Sequence, residues 1–157
     1  MKDRLFDEIR MGNTSEVEAI LSNSPNLVFE KDTRGSTPLL LATYYGFYEI
    51  SETILKHPQD IDAQDASGNT ALMGVCFKGF DLIAKLLLEK GAHPNITNFN
   101  GATPLIFAVT FGRKEIAKLL LENGADTTIK DDRGNTALTH AKLQGIREMV
   151  ELLEKQK

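Results

Sequence analysis

The chain has 157 residues, 41% of them hydrophobic and 25% charged, with no Trp and one Cys, Cys76, a composition that fits a single soluble globular unit. Charges are scattered throughout, so no stretch approaches the ~18 apolar residues of a membrane-spanning helix, and one cysteine cannot close an internal disulfide. Lys and Arg (18) trail Asp and Glu (22), giving a net charge of -4 with no basic block, which opposes a nucleic-acid partner because phosphate binding needs a positive surface. Met1-Lys2-Asp3-Arg4 runs on into acidic residues instead of the apolar run of a secretory signal. The expectation is a cytoplasmic chain, with export open only to a form whose signal segment has been removed.

In chain order, Leu5–Gly12 and Val17–Leu21 read as two helices with no turn ahead of them. A pattern then opens at Asp32–Leu39 and returns at Asp65–Leu72, Asn98–Leu105 and Asp131–Leu138. Its fourth residue is Gly35, Gly68, Gly101 or Gly134, each 33 from the next; Gly46, Gly79, Gly112 and Gly145 keep the same interval, and Gly91 and Gly124 add a third rung. Gly12 stands one residue out of step, as an insertion in the loop at 22–26 explains. Asp or Asn at the first place and Gly at the fourth suit a type I turn. Thr37, Thr70, Thr103 and Thr136 then fall at helix N-caps, with Pro38 and Pro104 at the first helical position, where a missing N–H does no harm. A short helix follows to the second glycine, and a second helix begins after it, with Ile83, Leu86 and Leu87 matched by Ile116, Leu119 and Leu120 at helical spacing. One turn and two antiparallel helices cannot bury their apolar face alone, so neighbouring units supply the core by stacking.

The Gly-x-Thr-Pro-Leu motifs at 35–39 and 101–105, the Leu-Leu-Leu-Glu-x-Gly-Ala motifs at 86–92 and 119–125, and the 33-residue interval resemble the ankyrin repeat across nearly the whole chain. The resemblance implies an all-α ankyrin solenoid of helix-turn-helix units with β-hairpin-like turns, as one domain over 1–157. Residues 1–34 read as a degenerate N-terminal capping repeat, 35–67, 68–100 and 101–133 as full repeats, and 134–157 as a C-terminal capping repeat with a polar end, since terminal repeats face water.

No catalytic signature emerges. His57, His93 and His140 fall at a helix end, a loop and the middle of a first helix, so neither a metal nor a catalytic cluster is expected, and no cofactor. Asp60, Asp62 and Asp65 have the wrong spacing for a calcium loop. There is no phosphate loop. Cys76, beside Val75, reads as a small apolar core residue. Gly74 sits inside a helix, where Leu41, Phe107 and His140 occupy the equivalent places; the expectation is that it makes room for the Phe107 ring, so that Gly74→Leu overpacks at a cost of ~1–3 kcal/mol. Asn95-Ile96-Thr97 matches a glycosylation acceptor, a match without consequence in a cytoplasmic chain; the resemblance also places Asn95 where eukaryotic ankyrin repeats can be hydroxylated.

The resemblance further implies that residues flanking each turn glycine, and the last two of each first helix, line a concave groove where protein partners bind. The expected partner-binding residues are Arg34, Phe99, Asn100 and Arg133 from the turns and Tyr44, Tyr45, Phe77, Lys78, Thr110, Phe111 and Leu143 from the helix ends. Five are aromatic, out of eleven Phe and Tyr in the chain, and Phe and Tyr give large contact area with few rotors to freeze. Four such repeats at ~8–10 Å spacing span ~25–30 Å, enough for much of a standard interface of ~800 Å² per partner. The function expected is non-catalytic protein–protein interaction by a monomer, with no nucleic-acid or membrane partner. The alternatives are a structural or self-associating repeat protein using Phe47, Tyr48 and Phe80 or, from another class, a small-ligand receptor or enzyme.

Overall fold

Turn chemistry fixes where the helices begin. The computed structural model describes residues 1–156. In each repeated turn one side-chain oxygen caps two backbone donors: Asp32 Oδ1 accepts from the N–H groups of Arg34 and Ser36, both at 2.9 Å, and Asp65, Asn98 and Asp131 do the same for their own turns at 2.8–3.0 Å. The Gly35 N–H closes the type I turn onto the Asp32 carbonyl at 3.0 Å, and the Asp32 N–H bonds the Ser36 carbonyl at 2.9 Å. These closures give a hairpin-like loop; no residue of the described chain is in a strand. The following threonine then caps the helix, as Thr103 Oγ1 does by accepting the Ile106 N–H at 3.1 Å.

The helices come in five antiparallel pairs: α1 (Lys2–Arg10) with α2 (Thr14–Asn23), α3 (Pro38–Tyr44) with α4 (Tyr48–Leu55), α5 (Ala71–Lys78) with α6 (Asp81–Glu89), α7 (Pro104–Thr110) with α8 (Lys114–Glu122), and α9 (Ala137–Gln144) with α10 (Arg147–Glu154). A 3₁₀ turn, Pro25–Phe29, fills the segment after α2 where the glycine register slips. The first helices form one row, α1 on α3, α3 on α5, α5 on α7 and α7 on α9, while α2, α4, α6 and α8 stack behind them. Apolar residues at matching places, such as Leu39, Leu72 and Leu105 or Ala42, Val75 and Ala108, are buried and run as one continuous strip between the rows. Contacts therefore join neighbours, and no central core gathers the chain.

Candidate functional site

The ends of the first helices and the turns facing them enclose a depression of about 660 Å³ between the first two repeated turns, lined by Arg34, Leu41, Tyr44, Tyr45, Asn69 and Gly74 among others. Toward the C-terminal end this depression gives way to aromatic rings. Tyr44 and Phe77 lie nearly parallel, with centroids 6.5 Å apart at 8°. Phe77 meets Phe111 edge-on at 4.7 Å, and Phe111 stacks with Phe107 at 6.4 Å and 16°. Tyr44 is 42%, Phe77 36% and Phe111 44% exposed, so the rings touch one another while keeping much of their area in water. Exposed, contiguous apolar area of this kind marks binding surfaces more often than scattered single residues do.

The other expected residues sit differently. Tyr45 is exposed and lines the depression, with its ring edge-on to Phe47 at 5.9 Å instead of joining the stripe. Lys78 holds its ammonium 5.0 Å over the Tyr44 ring, a cation–π arrangement that places positive charge at the stripe's edge. Phe99 is 68% exposed on its turn, where its N–H bonds the Ser67 carbonyl at 3.2 Å, and the Asn100 carbonyl accepts the Asp132 N–H at 3.0 Å; these two backbone bonds tie successive turns together. Arg34 and Arg133 are exposed at the turn rim. Leu143 is 72% exposed, and Thr110 has its hydroxyl enclosed without a hydrogen-bond partner among the described residues.

Two positions depart from the sequence expectation. Gly74 does not sit under Phe107: a Cβ added to it would meet only Tyr44 within 4 Å, at an ordinary 3.5 Å. A helical side chain leans back over the turn N-terminal to its own Cα, so Tyr44, at the end of α3, reaches the level of Leu41 and hence of its neighbour Gly74. Phe107 is partly buried against the core and stacks on Phe111 at the inner side of the stripe, a contact the sequence reading missed because its helical position matches the inward-leaning Leu41. The Phe47 and Phe80 rings cover Gly12 and Gly46 and pack partly buried against the core, while Tyr48 beside them is 39% exposed.

No group of three or more His, Cys, Asp or Glu among the described residues is placed to hold a metal ion. His140 Nε2 lies 2.7 Å from Asp131 Oδ2, a pairing internal to the last turn. The Cys76 side chain is fully buried, and burial pushes its thiol far above the ordinary value, so it packs as an apolar group. No helix among the described residues is long and apolar enough to cross a membrane.

A search of curated proteins finds no match to the chain. Family models do match: ankyrin repeats in three copies over residues 53–131 and 72–157, and a single ankyrin repeat over 34–66. Ankyrin repeats are in general protein–protein interaction modules and typically lack catalysis. The turn capped by Asp or Asn, the threonine-capped first helix and the stacked second helix recur every 33 residues through the matched segments, and the chain belongs to the ankyrin repeat family.

Proposed function

We propose that the chain is a non-catalytic binding module, working as a cytoplasmic monomer, that holds a segment of a protein partner along the face formed by its turns and first-helix ends. The observation that carries this reading is the contiguous path of exposed rings Tyr44, Phe77 and Phe111, with the partly buried Phe107 ring stacked on the last of them. Those rings are fixed on helices held by threonine caps and buried leucines, so little freedom is lost when a partner covers them, and preorganisation of this kind strengthens binding. Arg34, Lys78 and Arg133 set positive charge along the same face and favour a partner with acidic side chains, chiefly through the association rate. Asn100, Thr110, Phe99 and Leu143 complete the contact surface around the rings, with Tyr45 at its edge.

The test is affinity capture from native lysate with the parent chain and with Phe77→Ala/Phe111→Ala. Removing two central aromatic anchors is expected to weaken capture of the same partner by at least ~30-fold, the effect of a hot spot of about 2 kcal/mol. The double variant should melt within a few degrees of the parent. Equal capture by both proteins would refute the aromatic face as the binding surface.

A further inference from the structure

At one register position the first helices carry Leu41, Gly74, Phe107 and His140. Only α5 lacks a side chain there. The gap leaves an open-sided cavity of about 240 Å³ lined by Tyr44, Asn69, Met73, Gly74, Phe77 and Phe107. An apolar cavity of ~150 Å³ takes up benzene, whereas sites for drug-sized ligands and cofactors begin near ~300 Å³; this one has room for a single ring. Three of its six lining residues are aromatic, so an entering ring finds both faces and edges to pack on.

One polar side chain, Asn69, lines it, and a charged one, Lys78, stands over the lining ring of Tyr44. Asn98 Oδ1 accepts the N–H groups of Asn100 and Ala102, both at 3.0 Å, which fixes the Asn98 amide so that its Nδ2 donates to Asn69 Oδ1 at 2.9 Å. Asn69 Oδ1 is thereby the acceptor, and the Asn69 Nδ2 hydrogens bond nothing among the described residues, leaving a donor at the cavity wall. Lys78, over the Tyr44 ring, has no carboxylate within 4.0 Å among the described residues.

We propose that the Gly74 cavity is an anchor subsite for one aromatic side chain of the partner, set in an acidic segment. A backbone carbonyl beside the anchor takes the Asn69 amide, and a carboxylate within a few residues takes Lys78. This inference rests on the binding face proposed above and names what that face selects. It also separates two functions along the stripe: Phe111 supplies general contact area, and Gly74 supplies discrimination, because a side chain in its place would occupy the ring's position.

The experiment is selection of a displayed library of random 12-residue peptides on the full chain, followed by dissociation constants for the enriched peptides against five variants. Peptides that lose binding to Phe111→Ala are expected to share an aromatic residue with Asp or Glu within three places of it. Gly74→Leu, filling the cavity as Leu41 fills its own position, should weaken them at least tenfold, and Gly74→Ala about threefold. Lys78→Glu should cost about tenfold in dilute buffer and less at 0.5 M salt, where exposed charges are screened. Thermal melts establish that each variant is folded; if Gly74→Leu is not, Gly74→Ala decides. Phe111-dependent peptides that bind both Gly74 variants as tightly as the parent, or that carry no ring, overturn the subsite and leave the binding face standing. Absence of enrichment, or enriched peptides indifferent to Phe111→Ala and Phe77→Ala, overturns both.

Discussion

Asp62 and Asn95 stand 33 residues apart at equivalent places and meet the next repeat with different chemistry. Asp62 Oδ1 accepts the His93 N–H at 3.0 Å, and Asn95 Oδ1 accepts the Asp126 N–H at 2.7 Å. Asn95 also donates from Nδ2 to the Gly124 carbonyl at 3.0 Å, which an ionised carboxylate cannot do. With both ends of its amide engaged, Asn95 is a bridge between repeats. Burial raises the Asp62 pKa above its ordinary 3.8; the His93 N–H opposes the rise and the Asp60 charge adds to it. A raised carboxyl pKa means that the folded chain holds the proton more tightly than the unfolded one. The resulting destabilisation is absent below the unfolded value and grows as pH rises through the folded one. Asp62→Asn removes that cost and aims an N–H at the Gly91 carbonyl, the equivalent of Gly124. At pH 7 it should stabilise the fold by about 0.5–1.5 kcal/mol, with the advantage shrinking as pH falls through the raised pKa of Asp62 toward 3.8, where the parent has taken up its proton. Denaturant titrations at pH 7 and pH 3 measure both; an unchanged midpoint at pH 7 would contradict the account.

Among the helices, α5 is the one whose interior holds a glycine. Glycine in a helix costs about 1 kcal/mol relative to alanine, through the backbone freedom lost on folding. The other eleven glycines have positive φ and lie at turns and helix ends, while Gly74 does not, so its backbone makes no demand for glycine. Its Cβ would stand in ordinary contact with Tyr44. Gly74→Ala should therefore raise stability by about 0.5–1 kcal/mol, read as a higher melting temperature, and a lower one would show that the space around Tyr44 is tighter than its 3.5 Å separation implies. The helix starts were legible in the sequence because their determinants are local: Asp32 caps residues two and four places on, and Thr103 caps one three places on. Ring positions were not legible in the same way. Whether Tyr45 turns to Phe47 or joins Phe77, and whether Phe107 leans in or out, depends on side chains one repeat away and on the lean of each helix, neither of which the 33-residue interval records. Ion pairs show the same limit: Arg147 and Glu151, four apart on one helix, meet at 3.3 Å, while Lys114 reaches Glu148, 34 residues on, at 2.9 Å, a bridge between repeats that only stacking creates.

At the scale of the whole molecule, contacts between neighbours alone make stability a sum of local terms, so a defect at one end should loosen that end and leave the other intact. The two outermost repeated turns allow a direct comparison. Asp32 caps its turn and lies 3.4 Å from Arg10 of α1. Asp131 caps the last turn and holds His140 of α9. Burial alone would raise the Asp131 pKa, but hydrogen bonds from the Asn135 N–H, the His140 ring and the Arg133 N–H outweigh it and hold the carboxyl below its ordinary 3.8. The depressed value means that Asp131 contributes stability above the unfolded pKa and loses it as pH falls through the folded one. Acid should therefore weaken the α9–α10 end through this group, in the pH range below about 4. Asp131→Ala removes the same bonds at neutral pH, where amide hydrogen exchange is convenient to follow. Loss of one charged acceptor serving several donors costs about 1.5–3 kcal/mol, which corresponds to roughly 10- to 150-fold faster exchange for amides that open with that end. The acceleration should be confined to α9 and α10 and fade through α7 and α8, with α1–α4 exchanging as in the parent. Asp32→Ala should give the mirror result, with α1 and α2 accelerated and α9 and α10 unaffected. Uniform acceleration along the chain in both variants would mean that the five helix pairs open as one cooperative unit, with coupling between neighbours strong enough to override the linear arrangement.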